Sequence, residues 1–234
     1  MAKKGKVYLV PTVISEGTNA LLPPQTIEII HSLSYFIVER ARTARRFIKT
    51  TNPPYSIDSL EIIEIDNNDP SYLEIGLKWL QNSHSVGIMS ESGMPGIADP
   101  GEAFIKLAHK HNYEVHPLVG PSSIFMSLAA SGLNGQNFAF IGYLPIKEQE
   151  LKQRLKHLES AVFKHAQTQI FIETPYRNDR MLDYLIKHLN QNISLCVARD
   201  ISGESEMIIC KRISEWKKTK IQIGKIPTIF LLGQ

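Results

Sequence analysis

A chain of 234 residues is long enough to form one large domain or two smaller ones, each with its own core. Hydrophobic residues make up 43% and charged residues 21%, a balance typical of water-soluble globular proteins. No apolar run approaches the roughly 18 residues of a membrane span, and Met1 to Lys6 leads into a predicted strand rather than a signal-peptide core. We therefore expect a cytoplasmic protein.

The net charge of +3 is unevenly distributed along the chain. Residues 1–50 carry eight Lys/Arg and three Asp/Glu, residues 51–100 carry one and eight, and residues 151–234 carry fourteen and eight. Two basic segments around an acidic one could form a polyanion-binding surface if the fold brings them together. The overall basicity is modest for a dedicated nucleic-acid-binding protein, so charge alone does not decide the function.

The cysteines and histidines do not indicate a metal site. Cys196 and Cys210 each lie in an apolar run, with no second cysteine or histidine at metal-ligand spacing. We expect two buried thiols that pack as small hydrophobic side chains, rather than a disulfide or a zinc site. The eight histidines are scattered.

Strand-like and helix-like segments alternate through the first half of the chain. Strands separated by helix-length segments are typical of a parallel sheet with helices on both faces. We therefore predict an N-terminal α/β domain over residues 1–119. Its predicted strands are 6–11, 35–39, 61–65, 86–89 and 114–118, and its predicted helices are 24–33, 41–49, 71–81 and 102–111.

The second half predicts another α/β domain, over residues 120–234, with a mixed sheet. Its last three strands follow one another closely, which favours antiparallel pairing. The longest helical pattern runs over residues 175–189. The other predicted helices are 122–131 and 148–159, and the predicted strands are 138–143, 169–173, 193–199, 207–212 and 228–232.

The most informative loop runs from Ser90 to Gly101 and holds three glycines and two prolines directly after an apolar strand. Glycine allows backbone conformations closed to other residues and proline fixes φ, so this loop has a defined shape. In open α/β sheets, ligands bind at the carboxyl ends of the strands. From the residues alone, the loop either holds a ligand or only turns the chain into the next helix.

Two further loops follow predicted strands. Gly120 to Ser123 opens a predicted helix, where its hydroxyl and N–H groups either contact a ligand or simply cap the helix. Val10 to Thr12 ends the first strand, and polar residues continue to Asn19. The chain has no Gly-x-Gly-x-x-Gly or Walker A motif, which argues against a Rossmann dinucleotide site and a P-loop nucleotidase.

The helix after the second strand carries a row of basic residues. Arg42, Arg45, Arg46 and Lys49 follow the spacing of one helical face. Such a ridge suits a phosphate backbone. A solvated helix face balanced by the acidic stretch behind it explains the same pattern equally well.

In their order and spacing, these segments resemble the tetrapyrrole (corrin/porphyrin) methylase superfamily of S-adenosylmethionine-dependent methyltransferases. Within it, the chain looks most like the branch of small-subunit rRNA (cytidine-2'-O)-methyltransferases. Ser90 to Gly101 resembles that branch's Ser-Asp-Ala-Gly-Thr-Pro-x-Ile-Ser-Asp-Pro-Gly. The motifs that follow are Val119 to Ser123, Phe140 to Pro145 (Gly-Phe/Tyr-Leu-Pro), Phe171 to Arg177 (Phe-Tyr-Glu-Ser-x-His-Arg) and Ala198 to Asp200 (Ala-Arg-Glu).

The resemblance implies two α/β domains, with S-adenosylmethionine bound in the cleft between them, in a homodimer. This cofactor carries its methyl group on a sulfonium and is already activated, so the enzyme chiefly aligns the nucleophile and excludes water. Carried over position by position, the implied donor contacts are Pro11, Ser92, Gly93, Met94, Ile97, Ser122, Ser123, Glu173, Ala198, and Pro227 or Thr228.

The chain departs from the branch at two places. Pro11 to Ser15 reads Pro-Thr-Val-Ile-Ser, where the branch has Pro-Ile-Gly-Asn-Leu, and Glu39 to Arg42 reads Glu-Arg-Ala-Arg, where it has Glu-Asp-Thr-Arg. An acidic position has therefore become Arg40. Glu91 stands where the branch has an aspartate. The chain also has no Gly-x-Gly-Pro-Gly after the first strand, which disfavours a tetrapyrrole substrate.

The leading hypothesis is an S-adenosylmethionine-dependent methyltransferase that methylates the ribose 2'-oxygen of a cytidine in small-subunit rRNA. We expect Glu39, Arg42 and Arg45 to bind the substrate, and Glu39 is the one candidate for a base in a catalytic set that is otherwise unassigned. Two alternatives remain open. One is methylation of a tetrapyrrole or another small acceptor, and the other is a non-catalytic paralogue that holds the donor or RNA.

Overall fold

The computed structural model describes residues 4–234. The expectation of a cytoplasmic location rested partly on Met1 to Lys6, and residues 1–3 of this segment lie outside the described residues. The chain divides between Ser122 and Ser123 into two compact units, each with its own sheet. The domain boundary placed between residues 119 and 120 stays a prediction.

The first unit alternates short strands with helices. Its elements are β1 (Val7–Leu9), α1 (Pro24–Ser32), β2 (Tyr35–Val38), α2 (Ala41–Thr50), β3 (Glu61–Glu64), α3 (Ser71–Gln81), β4 (Val86–Met89), α4 (Glu102–Lys110) and β5 (Val115–Pro117). Two 3-10 turns lie in the connections, at Asn19–Leu21 and Ile57–Ser59. The sheet is entirely parallel, as predicted, in the order β3-β2-β4-β1-β5.

Helices cover both faces of this sheet, which explains the apolar central strands. Phe36 and Met89 pack with α1 and α2 on one face. Ile37 and Ile88 pack with α3 and α4 on the other. A strand buried on both faces has no polar side, so β2 and β4 read as continuous hydrophobic runs rather than alternating ones.

The strand order leaves a crevice at one edge of the sheet. After β2 the chain leaves through α2 towards β3, and after β4 it leaves through α4 towards β5, on the opposite side. Adjacent strands whose connections diverge leave a crevice at their carboxyl ends, where α/β proteins bind ligands. Glu39 follows β2 and Ser90 follows β4, so both begin at this crevice.

The second unit holds the mixed sheet that was predicted. Its elements are α5 (Ser123–Ser131), β6 (Phe138–Tyr143), α6 (Glu148–His165), β7 (Thr168–Ile172), α7 (Asn178–His188), β8 (Ser194–Arg199), β9 (Met207–Arg212), α8 (Ile213–Trp216) and β10 (Thr228–Gly233). The strand order is β6-β7-β10-β8-β9. Among these strands only β6 and β7 pair in parallel, and β10 pairs antiparallel with both β7 and β8. The antiparallel pairing expected of the last three strands is confirmed.

Two predicted helices have different bounds in the structure. The α6 helix continues past residue 159 to His165, because Leu158 and Val162 extend its buried face. The pattern over residues 175–189 begins instead as a 3-10 turn, Pro175–Arg177, before α7. Among the described helices α6 is therefore the longest, and the prediction for 175–189 was wrong on this point.

The two cysteines correct a second prediction. Cys196 is fully buried, as expected, but Cys210 is exposed because β9 is the edge strand of the sheet. They lie directly opposite each other on β8 and β9 as free thiols. The hydrogen bond between the thiols, together with burial, raises the pKa of Cys196.

Candidate functional site

The carboxyl edge of the first sheet is held together by backbone contacts between loops. The Thr12 N–H, after β1, donates to the Gly93 carbonyl after β4, at 2.8 Å. The Glu39 N–H, after β2, donates to the Met89 carbonyl at 3.0 Å. The three loops that leave β1, β2 and β4 therefore form one connected surface.

Gly120 brings the loop after β5 onto the same surface. A Cβ atom at this position would overlap the ring of Pro11, so only glycine allows this approach. Gly93 has φ +75, and only the Pro121 carbonyl lies within 4 Å of the place where its Cβ would be. The backbone at Gly93 is therefore open to close approach.

The predicted donor residues of the first unit lie along this surface with different exposures. Pro11 and Gly93 are buried, and Met94 and Ser122 are half-buried. Ser92 and Ile97 are exposed. These positions suit contacts made largely by backbone, and the residue assignments stay predictions.

Three carboxyl groups meet at the crevice between β2 and β4. The Glu91 N–H donates to Glu39 Oε2 at 3.0 Å, and the Thr43 hydroxyl donates to Glu91 Oε1 at 2.9 Å. Burial raises the pKa of Asp99 to about 6, with smaller contributions from the charges of Glu39 and Glu91, while a hydrogen bond with Ser90 opposes the shift.

Asp99 was not among the residues assigned from the sequence. A carboxyl group with a pKa near 6 changes its protonation close to neutral pH, which is a frequent property of functional sites. The available signal was its place in the loop from Ser90 to Gly101. Its surroundings could not be predicted, because they depend on the neighbouring strand that supplies Glu39.

A cavity of about 320 Å³, which we name the α2 cavity, opens beside these carboxylates. Thr12 lines it and is only 2% exposed, and its Oγ1 atom has no hydrogen-bond partner among residues 4–234. The remaining lining residues are Val13, Ile14, Ser15, Glu16, Gly17, Asn19, Thr43, Arg46, Phe47, Thr50, Glu91 and Ser92.

Polar contacts hold the loop after β1 over the α2 cavity. Arg46 Nη2 lies 2.9 Å from Glu16 Oε1. The Asn19 side-chain amide donates to the Thr50 carbonyl at 3.2 Å, at the end of α2. The cavity thus has a wall of loop residues fixed to a helix.

A second cavity, which we name the basic recess, lies along the same helix. Its volume is about 730 Å³. Arg46 lines both cavities, and Arg45 and Lys49 line the basic recess. Arg42, predicted to bind substrate with Arg45, is exposed and lines neither cavity. The recess also includes Asn52, Pro53, Tyr55, Ser56, Ile57 and Asp58.

In the second unit, strand pairing brings three predicted donor residues to one end of the sheet. Ile229 of β10 pairs with Ile172, which precedes Glu173, and also with Ala198 of β8. Thr228 is the first residue of β10. Glu173, Ala198 and Thr228 therefore lie at the same edge, and all three are buried.

The carboxylate of Glu173 is paired within this edge. Its side chain is 1% exposed and its Oε2 lies 3.1 Å from the Arg177 guanidinium. The Thr174 N–H donates to Oε1 at 2.7 Å. Both carboxylate oxygens thus have a donor or a cation of the second unit beside them.

Thr228 is also fixed by local contacts. Its hydroxyl donates to the Ile226 carbonyl at 2.9 Å, and the fully buried Asn178 amide lies 3.3 Å from the same hydroxyl. Ser123 begins α5, which packs against β8, β9 and β10. These residues form a rigid wall, and their assignment to the donor stays a prediction.

Two other kinds of feature are absent from residues 4–234. No helix there is both long and apolar enough to cross a membrane. No group of three or more His, Cys, Asp or Glu side chains there is arranged to hold a metal ion.

The relatives in sequence are bacterial rRNA methyltransferases. A ribosomal RNA small subunit methyltransferase I of Buchnera aphidicola is 26% identical over 206 residues, which are 88% of this chain and 69% of the relative. The protein of the same name from Synechocystis sp. is 29% identical over 202 residues, 86% of this chain and 69% of the relative. No family model matches the chain.

Solved methyltransferase structures share the fold. The methyltransferase CobJ has a TM-score of 0.63 and 18% identity, with 98% of this chain and 94% of that chain covered. Diphthine synthase has a TM-score of 0.67 and 12% identity, covering 97% and 88%. Uroporphyrin-III C-methyltransferase from Thermus thermophilus, complexed with S-adenyl homocysteine, has a TM-score of 0.55 and 17% identity, covering 98% of each chain.

The resemblance predicted from the ordered motifs is confirmed by both comparisons. The parallel first sheet and the mixed second sheet match these neighbours in fold. The chain therefore has the fold of the tetrapyrrole methylase superfamily, and it is similar in sequence to the ribosomal RNA small subunit methyltransferases I.

Proposed function

We propose that this chain is an S-adenosylmethionine-dependent methyltransferase that acts on ribosomal RNA. The observation that carries this proposal is sequence similarity over 86% and 88% of the chain to proteins named ribosomal RNA small subunit methyltransferase I. The crevice at the carboxyl ends of β2 and β4 supports a ligand site in the first unit. We assign the reaction to the ribose 2'-oxygen of a cytidine in small-subunit rRNA.

S-adenosylmethionine is the proposed cofactor, in line with the S-adenyl homocysteine of the Thermus thermophilus neighbour. The open backbone at Gly93 and the close approach of Gly120 to Pro11 fit a ligand held mainly by backbone groups. In the first unit we assign the donor contacts to Pro11, Ser92, Gly93, Met94, Ile97 and Ser122. In the second unit we assign them to Ser123, Glu173, Ala198 and Thr228.

When bound, the cofactor supplies a methyl group already activated on a sulfonium. The protein then has to hold the acceptor in line, keep water out and take up the proton of the ribose hydroxyl. We assign proton uptake to the carboxyl groups at the crevice. Glu39 is the candidate from the sequence, and Asp99, with a pKa raised to about 6, is the candidate from the structure.

The basic face of α2 is the proposed RNA contact. Arg45 and Lys49 line the basic recess and Arg42 lies exposed on the same helix, so phosphates along this helix would meet several cations. From the resemblance we also propose a homodimer that acts in the cytoplasm.

Two measurements test this function. Isothermal titration with S-adenosylmethionine should show one site per chain. Small ribosomal subunits from a strain lacking the gene should accept tritium from labelled donor, in the 16S-type rRNA and at a ribose. Binding of the donor without methyl transfer to RNA would contradict the proposed enzymatic activity and favour a non-catalytic paralogue. Methyl transfer to a tetrapyrrole instead of RNA would favour a small-molecule methyltransferase.

A further inference from the structure

We propose that the α2 cavity receives the base of the acceptor cytidine, turned out of the RNA stack, and that Glu91 and Thr12 select cytosine there. Arg46 would direct the neighbouring phosphate into the basic recess. The inference rests on the proposed function, since it names the subsite that such a methyltransferase would use. Enzymes that do chemistry on a base commonly extrude it from the stack into a pocket, and the proposal extends this to a nucleotide that is methylated on its ribose.

The α2 cavity lies beside the predicted donor surface rather than within it. Ser92 lines the cavity and is also a predicted donor contact, whereas Pro11, Gly93 and Ile97 do not line it. A base in the cavity would therefore leave the donor surface free, with its ribose close to Ser92. The volume of about 320 Å³ falls at the lower end of small-ligand pockets, which suits a single nucleoside.

Thr12, one of the residues that line the cavity, carries a buried hydroxyl group without a hydrogen-bond partner among residues 4–234. Buried hydroxyl groups in folded proteins are nearly always hydrogen-bonded, because an unpaired one loses its contacts with water without replacement. The Thr12 Oγ1 atom is such an exception among residues 4–234, in a residue only 2% exposed. On this proposal the hydroxyl donates to an acceptor atom of cytosine, N3 or O2.

Glu91 favours cytosine over uracil by the direction of its hydrogen bonds. One of its oxygens already accepts from Thr43, and a carboxylate retains further acceptor capacity. The exocyclic amino group of cytosine donates a hydrogen bond, and the corresponding uracil oxygen only accepts. Glutamate is therefore matched to cytosine and repelled by uracil.

Arg46 connects the base site to the phosphate site. It lines both the α2 cavity and the basic recess. Its ion pair with Glu16 is exposed, at 68% and 85% of the two side chains, and such pairs contribute little. Arg46 can therefore leave Glu16 and bind an RNA phosphate with little loss of stability.

The test compares RNA fragments of the methylated region that carry either cytidine or uridine at the acceptor position. Wild-type protein should transfer methyl groups to the cytidine fragment at least about 10-fold faster. Glu91→Gln should slow transfer to cytidine about 10-fold and leave the two fragments within about 3-fold of each other. The affinity for S-adenosylmethionine should not change, and Glu28→Gln, exposed on α1 outside both cavities, should match wild type.

Thr12 provides the second arm. Thr12→Val keeps the shape of the side chain and should slow transfer to cytidine about 10-fold, with an unchanged melting temperature or a higher one, and Thr12→Ser should restore transfer. Glu91→Gln with full discrimination between cytidine and uridine would overturn the inference. A 10-fold loss of S-adenosylmethionine affinity in Thr12→Val would also overturn it, because the cavity would then hold the donor. Absence of donor binding and transfer in the wild type would instead reject the proposed function.

Discussion

The two sheets end in edges of opposite character. At the first edge, Glu39, Glu91 and Asp99 lie together, and the pKa of Asp99 is raised to about 6. At the second edge, Glu173 lies against the guanidinium of Arg177. A carboxyl group whose pKa is raised by burial, such as that of Asp99, takes up a proton near neutral pH, whereas a paired carboxylate mainly fixes the structure. We therefore expect proton transfer at the first edge and a structural role for the second.

The largest expected effect is the loss of the ion pair at the second edge. Arg177→Ala leaves a buried carboxylate without its cation, so we expect the free energy of unfolding to fall by about 3 kcal/mol. Urea denaturation measures this. Glu173→Gln combined with Arg177→Ala should recover much of the loss, and Arg180→Ala, which is exposed, should cost little. An equal loss in the single and double variants would contradict the assigned pairing.

The next effect concerns the loop contact at the first edge. Gly120→Ala places a Cβ atom in the ring of Pro11, and we expect a loss of about 2 kcal/mol together with weaker binding of S-adenosylmethionine. Thermal unfolding and titration calorimetry report the two quantities. Gly135→Ala is the matched control, because its Cβ would have no neighbour within 4 Å. Wild-type stability in Gly120→Ala would show that the loop moves freely.

A smaller effect is a pH dependence of stability, which we expect from Asp99 at the first edge. The pKa of Asp99 is raised on folding, so ionising it destabilises the folded state; this cost is absent well below pH 4, grows between about pH 4 and 6, and is complete above pH 6. Asp99→Asn should therefore stabilise the protein at pH 8 and not at pH 3.5. Because the group is only half-buried, we expect about 1 kcal/mol.

Urea unfolding at the two pH values checks this prediction for Asp99. The comparison is made with Glu39→Gln, which removes a neighbouring charge and should lower the pKa of Asp99. If Asp99→Asn has the same effect on stability at both pH values, the pKa of Asp99 is not raised on folding.

The smallest effect lies on the basic helix. Arg45→Ala removes a cation that lines the basic recess, so we expect RNA affinity to fall severalfold and the slope of log affinity against log salt to flatten by about 1. Arg42→Ala removes a cation outside both cavities and should do less. Filter binding at several salt concentrations measures both. Unchanged RNA affinity in a variant that combines Arg42→Ala with Arg45→Ala would show that the RNA binds elsewhere.

Features with a local physical cause were predictable from the sequence. The predicted bounds of β4, α3, β6 and β9 match the structure, because each is a periodic or continuously apolar run with polar or turn-forming residues beside it. The predicted end of α6 at residue 159 was wrong, because the buried face of the helix continues to Val162.

Features that depend on neighbouring strands were not predictable. Cys210 lies in an apolar run, but it is exposed because β9 has a neighbour on one side only. Asp99 was passed over because its pKa depends on burial and on Glu39, a residue distant in sequence. Helical spacing places Arg42 and Arg46 on the same face of α2, but it cannot show that Arg46 lines both cavities and Arg42 neither.

The sequence by itself determined the alternation of strands and helices, the order of the motifs and hence the resemblance to a methylase superfamily, because these depend on local spacing. Only the tertiary structure decided which loops meet. The insertion of β4 between β1 and β2 places Ser90 to Gly101 against Thr12 on one side and Glu39 on the other. The α2 cavity, the buried hydroxyl of Thr12 and the raised pKa of Asp99 all follow from that strand order.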